Sequence, residues 1–328
     1  MKNIYTINLQ LFAEMNTNTT LSAGLSVENK THYDMTLIDE AQPLLVHDQF
    51  AQKRPIPKNG GKKIEFRKFA GLPKALTPLT EGVTPDGKSL EVTSLEAEVA
   101  QYGDYVVYSD VLDLTAIDPV VTEAVKVIGN QAGLTLDTIT RDILQTGTNV
   151  FYCPKGDGTE VKTRDALDNT CKLTAKMVKK VAAFLKKVNA PKIDGSYVAI
   201  IHPFVAYDLM NDPEWIEAHK YQDSVSIFEG ELGKIGGVRF VESSEAKVYT
   251  GGVFGCIFLG ANAYGVTDIE GGGLRTIIKQ LGSSGVADAL DQRASIGWKA
   301  IKTAEILIEA YLIRVECKSE LSGEVEAN

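Results

Sequence analysis

His202 is the residue of this chain best placed for proton-transfer chemistry, because it follows an apolar stretch at 197–201 and precedes Pro203. A histidine can serve as a general acid or base when a nucleophile lies within hydrogen-bonding reach. It can equally accept a hydrogen bond at the start of the helix that Pro203 predicts. Since no matching nucleophile and base accompany His202, the sequence favours the second, structural role.

Spacing also argues against metal, phosphate and disulfide chemistry. The acidic loop at 156–168 does not match a calcium loop, and the glycines at 230–236 match neither a dinucleotide nor a Walker motif. The other histidines are not spaced as metal ligands, and the cysteines form no C-x-x-C pair, which favours a reducing, cytoplasmic environment. We therefore expect no catalytic residue, no metal, no cofactor and no enzyme. The residues concerned are His32, His47, His219, Cys153, Cys171, Cys256 and Cys317.

Two basic clusters are the remaining candidates for binding. Lysines at 172–187 cover one side of a predicted helix, for which a solvated surface is the simpler interpretation. Lysines and arginines at 53–68 surround a predicted strand, and Glu91, Glu96 and Glu98 follow in the same hairpin. Salt bridges between subunits are therefore favoured over contacts with DNA phosphates for this cluster.

Composition limits the classes of protein further. The chain has 328 residues and a net charge of −9, which argues against a general nucleic-acid-binding protein. No run of about 18 apolar residues occurs, so the sequence predicts no membrane span. A chain of this length can form two domains or one elongated domain.

The element that organises the chain is a long helix predicted over 118–147. Asp118 can cap it, Pro119 takes the first helical position, and Gly147 is placed to end it. Such a helix spans about 42 Å, enough to cross nearly the whole subunit. Its apolar stripe comprises Val121, Val125, Ile128, Ala132, Leu136, Ile139 and Ile143.

Four further residues qualify this helix. Asp137 and Arg141 fall off the apolar stripe, so we expect them on the wet face. Gly129 and Gly133 weaken the helix locally, which either a close-packed neighbour or a mild bend would explain.

A hairpin precedes the long helix. Strands are predicted at 62–69 and 90–100, joined by a tip at 70–88 that is rich in proline and glycine. A lone two-stranded hairpin is marginally stable in water. The hairpin therefore needs a partner surface, on its own subunit or on a neighbouring one, and this is the first indication of an assembly.

The remaining elements mix helices and strands without a regular βαβ rhythm, which indicates an α+β fold. Residues 1–35 predict a polar arm, and 35–50 carry a helical pattern interrupted by Pro43. A helix capped by Thr174 is predicted at 173–188, and another at 204–210. Strands are predicted at 197–201, 235–241, 253–259, 276–279, 294–302 and 305–315.

Local sequence in this order resembles the major capsid proteins of tailed bacteriophages, in particular the N-four-like family. The similar segments are INLQLFAE at 7–14, LTEGVTPDGKSL at 79–90, YSDVLDL at 108–114, LDTITRDILQTGTN at 136–149, IIHPFVAYDLMNDPEW at 200–215 and GELGKIGGVRFVES at 230–243. Each segment is short, but their order and spacing cover nearly the whole chain.

The resemblance implies the Hong Kong 97 fold. It implies an N-terminal arm at 1–50, an extended β-hairpin loop at 51–104 and a peripheral domain at 105–195 that includes the spine helix 118–147. An axial domain at 196–290 and return strands of the peripheral domain with a tail at 291–328 would follow.

The function implied is that of a coat protein forming hexamers and pentamers of an icosahedral head around double-stranded DNA, without sequence-specific binding. The implied partners are a portal protein and a decoration protein, with no membrane. Because no long, charged helical segment precedes the arm, we expect the scaffolding protein to be a separate chain. The protein would assemble in the host cytoplasm and reside in the virion. On this basis we expect assembly contacts at Leu37, Ile38, Phe50, Phe66, Arg67, Phe69, Glu81 and Gly271.

Two other classes remain as alternatives. An encapsulin-like nanocompartment would share the fold but hold enzymes instead of DNA. A soluble α+β enzyme would need a cleft in which a nucleophile and a base meet. Some related shells crosslink covalently, but no motif selects Lys74 or Lys88 near the hairpin tip, so we expect no crosslink.

Overall fold

A computed structural model describes residues 17–18, 46–59, 61–69, 71–79, 81–84, 86–115, 120–219, 233–267, 274–283 and 288–328. The chain divides into two compact units. The first comprises 1–42, 101–133 and 273–300, and the second 43–100, 134–272 and 301–328. Several sequence predictions lie outside the described residues, namely the contacts at Leu37, Ile38 and Gly271, the helix start at Asp118 and Pro119, and most of the pattern at 35–50.

The described residues form fifteen strands and five α-helices. The strands are β1 (Thr17–Asn18), β2 (Gln52–Lys53), β3 (Lys63–Phe69), β4 (Val92–Glu98), β5 (Ala100–Ser109), β6 (Val150–Tyr152), β7 (Tyr197–Ile201), β8 (Lys234–Ile235), β9 (Val238–Glu242), β10 (Val248–Tyr249), β11 (Val253–Leu259), β12 (Tyr264–Thr267), β13 (Arg275–Lys279), β14 (Arg293–Ile306) and β15 (Leu312–Cys317). The helices are α1 (Asp110–Thr115), α2 (Val120–Leu144), α3 (Ala175–Lys187), α4 (Pro203–Met210) and α5 (Pro213–His219).

The long helix is α2, which ends at Leu144 and not at Gly147. Its last turn tightens, since the Thr146 amide donates to the Ile143 carbonyl at 3.0 Å. Gly147 serves packing instead, because a Cβ there would lie 2.6 Å from Leu312 Cδ2.

The predicted stripe of α2 is buried at Ile128 and Ala132. Asp137 and Arg141, expected on the wet face, are also buried, with exposed fractions of 1% and 2%. That prediction was wrong because other parts of the chain cover this side of α2 and supply polar partners. At Gly129 a Cβ would meet nothing within 4 Å, so a close-packed neighbour does not explain that glycine.

A seven-stranded sheet organises the second unit, in the order β6-β15-β11-β7-β9-β8, with β10 beside β11. Strands β7 and β11 are buried along their whole length, and α3 and α4 contribute to the same core. Such nearly continuous apolar strands are typical of sheets covered on both faces. The core therefore joins α3, expected in the peripheral domain, to strands expected in the axial domain.

Three strand predictions changed in detail. The stretch 235–241 is a tight hairpin of β8 and β9, because Gly236 and Gly237 adopt positive φ angles of 61° and 88°. The break expected near 303 falls after Ile306, so β14 is one long strand. Strand β15 does not return beside β14; it pairs with β11 and β6, where its apolar residues are buried.

The first unit is built on strands that approach closely. Residues 295–299 of β14 pair with β13, β5 neighbours β14, and β1 runs parallel to β5. A Cβ at Gly103 would lie 2.6 Å from the Trp298 carbonyl oxygen, so glycine is needed there. Gln131 of α2 donates to Asp104 at 2.7 Å and accepts from the Trp298 indole at 3.3 Å. These bonds fix the helix against both strands.

The predicted hairpin is confirmed as β3 and β4, paired antiparallel with Phe66 opposite Leu95. Between them, the described residues of 71–90 contain neither helix nor strand. The hairpin therefore ends in an irregular tip, as its prolines and glycines predict.

Candidate assembly surfaces

Among the described residues, the hairpin tip carries the largest set of exposed aliphatic side chains in one short segment. Leu76 is 81% exposed and Leu79 is 77% exposed. Three neighbouring side chains are each more than half exposed, namely Leu72, Val83 and Leu90. A soluble monomer rarely exposes so many large apolar groups in one short segment. The tip is therefore suited to contact another surface.

The base of the hairpin is fixed within its own subunit. Phe66 is 7% exposed, and an added Cβ at Gly265 of β12 would lie 3.3 Å from its ring. Arg67 is exposed and pairs with Glu65 at 3.0 Å. Glu81 is exposed at the tip, whereas Phe69 is the last residue of β3. Of the predicted contact residues, Arg67 and Glu81 are thus accessible, and Phe66 is an internal anchor.

The last residues of the predicted arm, 46–50, are clamped onto α2. His47 bonds to Asp137 through both its amide (2.9 Å) and its ring Nδ1 (2.7 Å). The Thr140 hydroxyl donates to Asp48 at 2.6 Å, and Lys302 of β14 forms an ion pair with Asp48. Sequence reasoning missed this cluster because its members are about ninety or more positions apart.

The cluster also includes contacts beyond these side-chain bonds. The Tyr264 hydroxyl donates to the His47 carbonyl, and Lys302 donates to the Leu136 carbonyl at 2.8 Å. Val46 belongs to the apolar core beside the helix, and the half-buried Phe50 lies with its ring 5.8 Å from the Arg239 guanidinium. Phe50 thus contacts its own subunit.

His202 has the predicted structural role. It caps α4, since its Nδ1 accepts from the Phe204 amide at 3.1 Å. Its ring lies between those of Phe204 and Phe254, with centroids 5.0 and 4.8 Å away. Burial lowers the pKa of His202 to about 4, so the ring is neutral at pH 7.

A second buried polar group ties the loop before α3 to the central sheet. Glu316 of β15 is fully buried and accepts two hydrogen bonds from Arg164, at 2.7 and 2.6 Å. Arg314 lies 3.0 Å from the same carboxylate. The hydrogen bonds to Glu316 raise the pKa of Arg164 above its ordinary range.

The described residues offer no candidate metal site. They contain no cluster of three or more histidine, cysteine or acidic residues that could hold a metal. The four cysteines are free, buried thiols, and hydrogen bonding to Cys317 together with burial raises the pKa of Cys153 and Cys256. A cleft of about 580 Å³ in the first unit is lined by Tyr102, Tyr105 and Trp298, with no histidine or cysteine among its described lining residues.

A family model described as phage capsid protein matches residues 108–277, just over half of the chain. The chain belongs to the phage capsid protein family. Phage capsid proteins are structural components of the virion, and they assemble into multimeric shells. The predicted function, a major capsid protein, is confirmed.

Solved structures extend the likeness of this phage capsid protein beyond the matched region. The capsid of cyanophage P-SCSP1u is 14% identical with a TM-score of 0.68, over 88% of this chain and 93% of that one. The capsid of cyanophage Pam1 is 14% identical with a TM-score of 0.66, over 82% and 88%. The SrpI encapsulin of Synechococcus elongatus is 11% identical with a TM-score of 0.53, over 82% and 85%. No curated protein sequence matches the chain.

These structures confirm the predicted fold. The phage capsid protein has the Hong Kong 97-type architecture, with mixed helices and sheets. Within the described residues, no helix is both long and apolar enough to cross a lipid bilayer.

Proposed function

We propose that this phage capsid protein forms the hexamers and pentamers of an icosahedral head that encloses double-stranded DNA. The observation that carries the proposal is the hairpin tip, where Leu76 and Leu79 remain more than three-quarters exposed. Burying such side chains against a neighbour gains roughly 1.5–3 kcal/mol each. Every subunit repeats this contact, so closure of a shell multiplies a modest affinity.

Each part of the chain receives a role in this proposal. Residues 1–50 form the arm, 51–104 the extended loop that reaches a neighbour, and α2 the spine of the peripheral domain. The seven-stranded sheet, α3 and α4 belong to one domain, since they share one continuous core. We assign this domain as the axial domain near the capsomer axis. This assignment moves 150–195 and 312–317 from the peripheral to the axial domain.

The proposed partners follow from the same role. A separate scaffolding protein directs shell size, a portal protein occupies one vertex, and a decoration protein can bind outside. The packaged DNA is held by enclosure and not by sequence readout, consistent with a net charge of −9. Assembly takes place in the host cytoplasm and needs no enzymatic activity from this chain.

Electron microscopy of particles from cells that express this chain with its scaffolding protein tests the proposal. Closed shells tens of nanometres wide are expected, and their loss in a Leu76→Ser, Leu79→Ser variant would implicate the tip. The matched control is Ile216→Ser, which removes a 42% exposed apolar group from α5 and should leave shells intact.

The encapsulin alternative rests on the likeness to the SrpI structure and has its own readout. DNA inside native particles supports a phage head, whereas enzyme cargo would identify a nanocompartment. Strictly monomeric protein under all conditions would refute both.

A further inference from the structure

The solvent-facing side of α3 combines cations with exposed apolar groups. Lys176, Lys180, Phe184 and Val188 follow one another at four-residue spacing, so they form one row along the helix and its end. Phe184 is 38% exposed and Val188 is 39% exposed, although the opposite side of α3 supplies the buried core residues. The exposed row is therefore a second apolar surface, bordered by charge.

The charge on α3 is of one sign. The helix contains five lysines and no acidic residue, in a chain whose net charge is −9. Neighbouring carboxylates neutralise it in part, since Lys179 pairs with Glu214 at 2.8 Å and Lys180 lies 3.8 Å from Glu160. Among the described residues, the remaining three have no carboxylate in ion-pair contact: Lys176, Lys186 and Lys187.

Helix α1 presents the complementary chemistry. Leu114 is 83% exposed, the highest value for a large apolar side chain in the described part of the chain, and Val111 is 52% exposed. Leu112, in contrast, is only 3% exposed and faces the core. The six residues of α1 include Asp110 and Asp113 and no cation. Helical periodicity places positions 110 and 114 on the side opposite Leu112.

We propose that α1 of one copy of this chain docks on the exposed row of α3 in a second copy, with Val111 and Leu114 against Phe184 and the acidic α1 against the lysines of α3. The inference rests on the proposed shell function and names one of its subunit contacts. Because the two surfaces differ, the contact is heterologous, and such contacts close into rings when the rotation permits. A ring is the arrangement that a hexamer or pentamer requires.

Disulfide crosslinking between chains that each carry one introduced cysteine tests the contact directly. Leu114→Cys and Phe184→Cys are placed on separate chains, and particles are purified from cells expressing both with the scaffolding protein. Mild oxidation with diamide, which accepts the two thiol electrons as two protons leave, should give a covalent dimer on a denaturing gel. The native cysteines are all buried. The control pair is Val127→Cys, at a 60% exposed position, with Phe184→Cys, and it should remain monomeric.

Charge reversal provides an independent test. Facing like charges across an interface are unfavourable, so Lys176→Glu with Lys187→Glu should reduce shell yield roughly tenfold or more. Asp110→Lys should also reduce the yield, and combining Asp110→Lys with Lys187→Glu in one chain should restore shells. The contact is refuted if the wild-type chain forms shells but the cysteine variants give no crosslink and the combined charge variant forms no shells. The proposed function would still stand in that case. Absence of any wild-type assembly would instead refute the proposed function.

Discussion

Replacing His202 by asparagine should reduce the acid sensitivity of the folded subunit. An asparagine oxygen can accept the Phe204 amide hydrogen bond, so the cap of α4 is kept. The imidazole, however, is removed from its buried position between two phenylalanine rings. The variant therefore separates the titration of His202 from its capping role.

The magnitude follows from the pKa. Burial lowers the pKa of His202 from an ordinary 6.5 to about 4, so the unfolded chain takes up this proton first as the pH falls. Stability from the neutral ring is thus complete above pH 6.5 and is lost as the pH falls towards 4. The loss corresponds to roughly 3 kcal/mol of unfolding free energy.

Urea unfolding of dispersed subunits, followed by tryptophan fluorescence between pH 7 and pH 4, measures this difference. Carboxylates titrate alike in both proteins, and the lost ring contacts give an offset that does not depend on pH. The stability gap between wild type and His202→Asn should therefore shift by about 3 kcal/mol across this range. Parallel stability curves would show that His202 is not held neutral by burial. His202→Gln provides a second variant if the asparagine chain does not fold.

Three further predictions concern packing and buried charge, each checked by the urea midpoint of dispersed subunits. Gly147→Ala should lower the free energy of unfolding by about 1–3 kcal/mol, because the added methyl group overpacks the core. Gly129→Ala should raise it by about 0.5–1 kcal/mol, because the space around Gly129 is open. Equal effects of the two variants would contradict the assigned contacts. Glu316→Ala should cost about 3–5 kcal/mol, because two arginines lose their buried partner, and a neutral effect would mean that water replaces the carboxylate. Phe66→Ala should lower the free energy of unfolding by about 3–5 kcal/mol, whereas Leu76→Ser should change it by less than about 0.5 kcal/mol. The reverse order would show that Phe66 is not the internal anchor of the hairpin.

Local signals in the sequence predicted local structure well. The amide of Met177 donates to the Thr174 side chain, so the predicted cap of α3 is confirmed. The hairpin, the buried strand at 197–201 and the capping role of His202 follow equally from alternation, apolar runs and a proline at the first helical turn. Each of these depends on residues within a few positions of one another.

Features that depend on distant partners were not predictable. The sequence predicts that Asp137 is solvated, because its partner His47 lies ninety positions earlier in the chain. Strand β15 has no sequence signal for pairing with β11 in preference to β14, because apolar alternation does not encode which sheet a strand joins. The exposed tip residues were expected as a contact region, but the separation of buried Phe66 from exposed Leu76 required the tertiary structure.

The clamp formed by residues 46–50 joins three elements that lie far apart in the sequence, namely α2, β12 and β14. His47 gives two hydrogen bonds to the buried Asp137 carboxylate, and Asp48 is the carboxylate partner of the buried Lys302. Without this segment, both charged groups would stay buried and lose these partners, which is costly. The segment is therefore an integral part of the subunit's core.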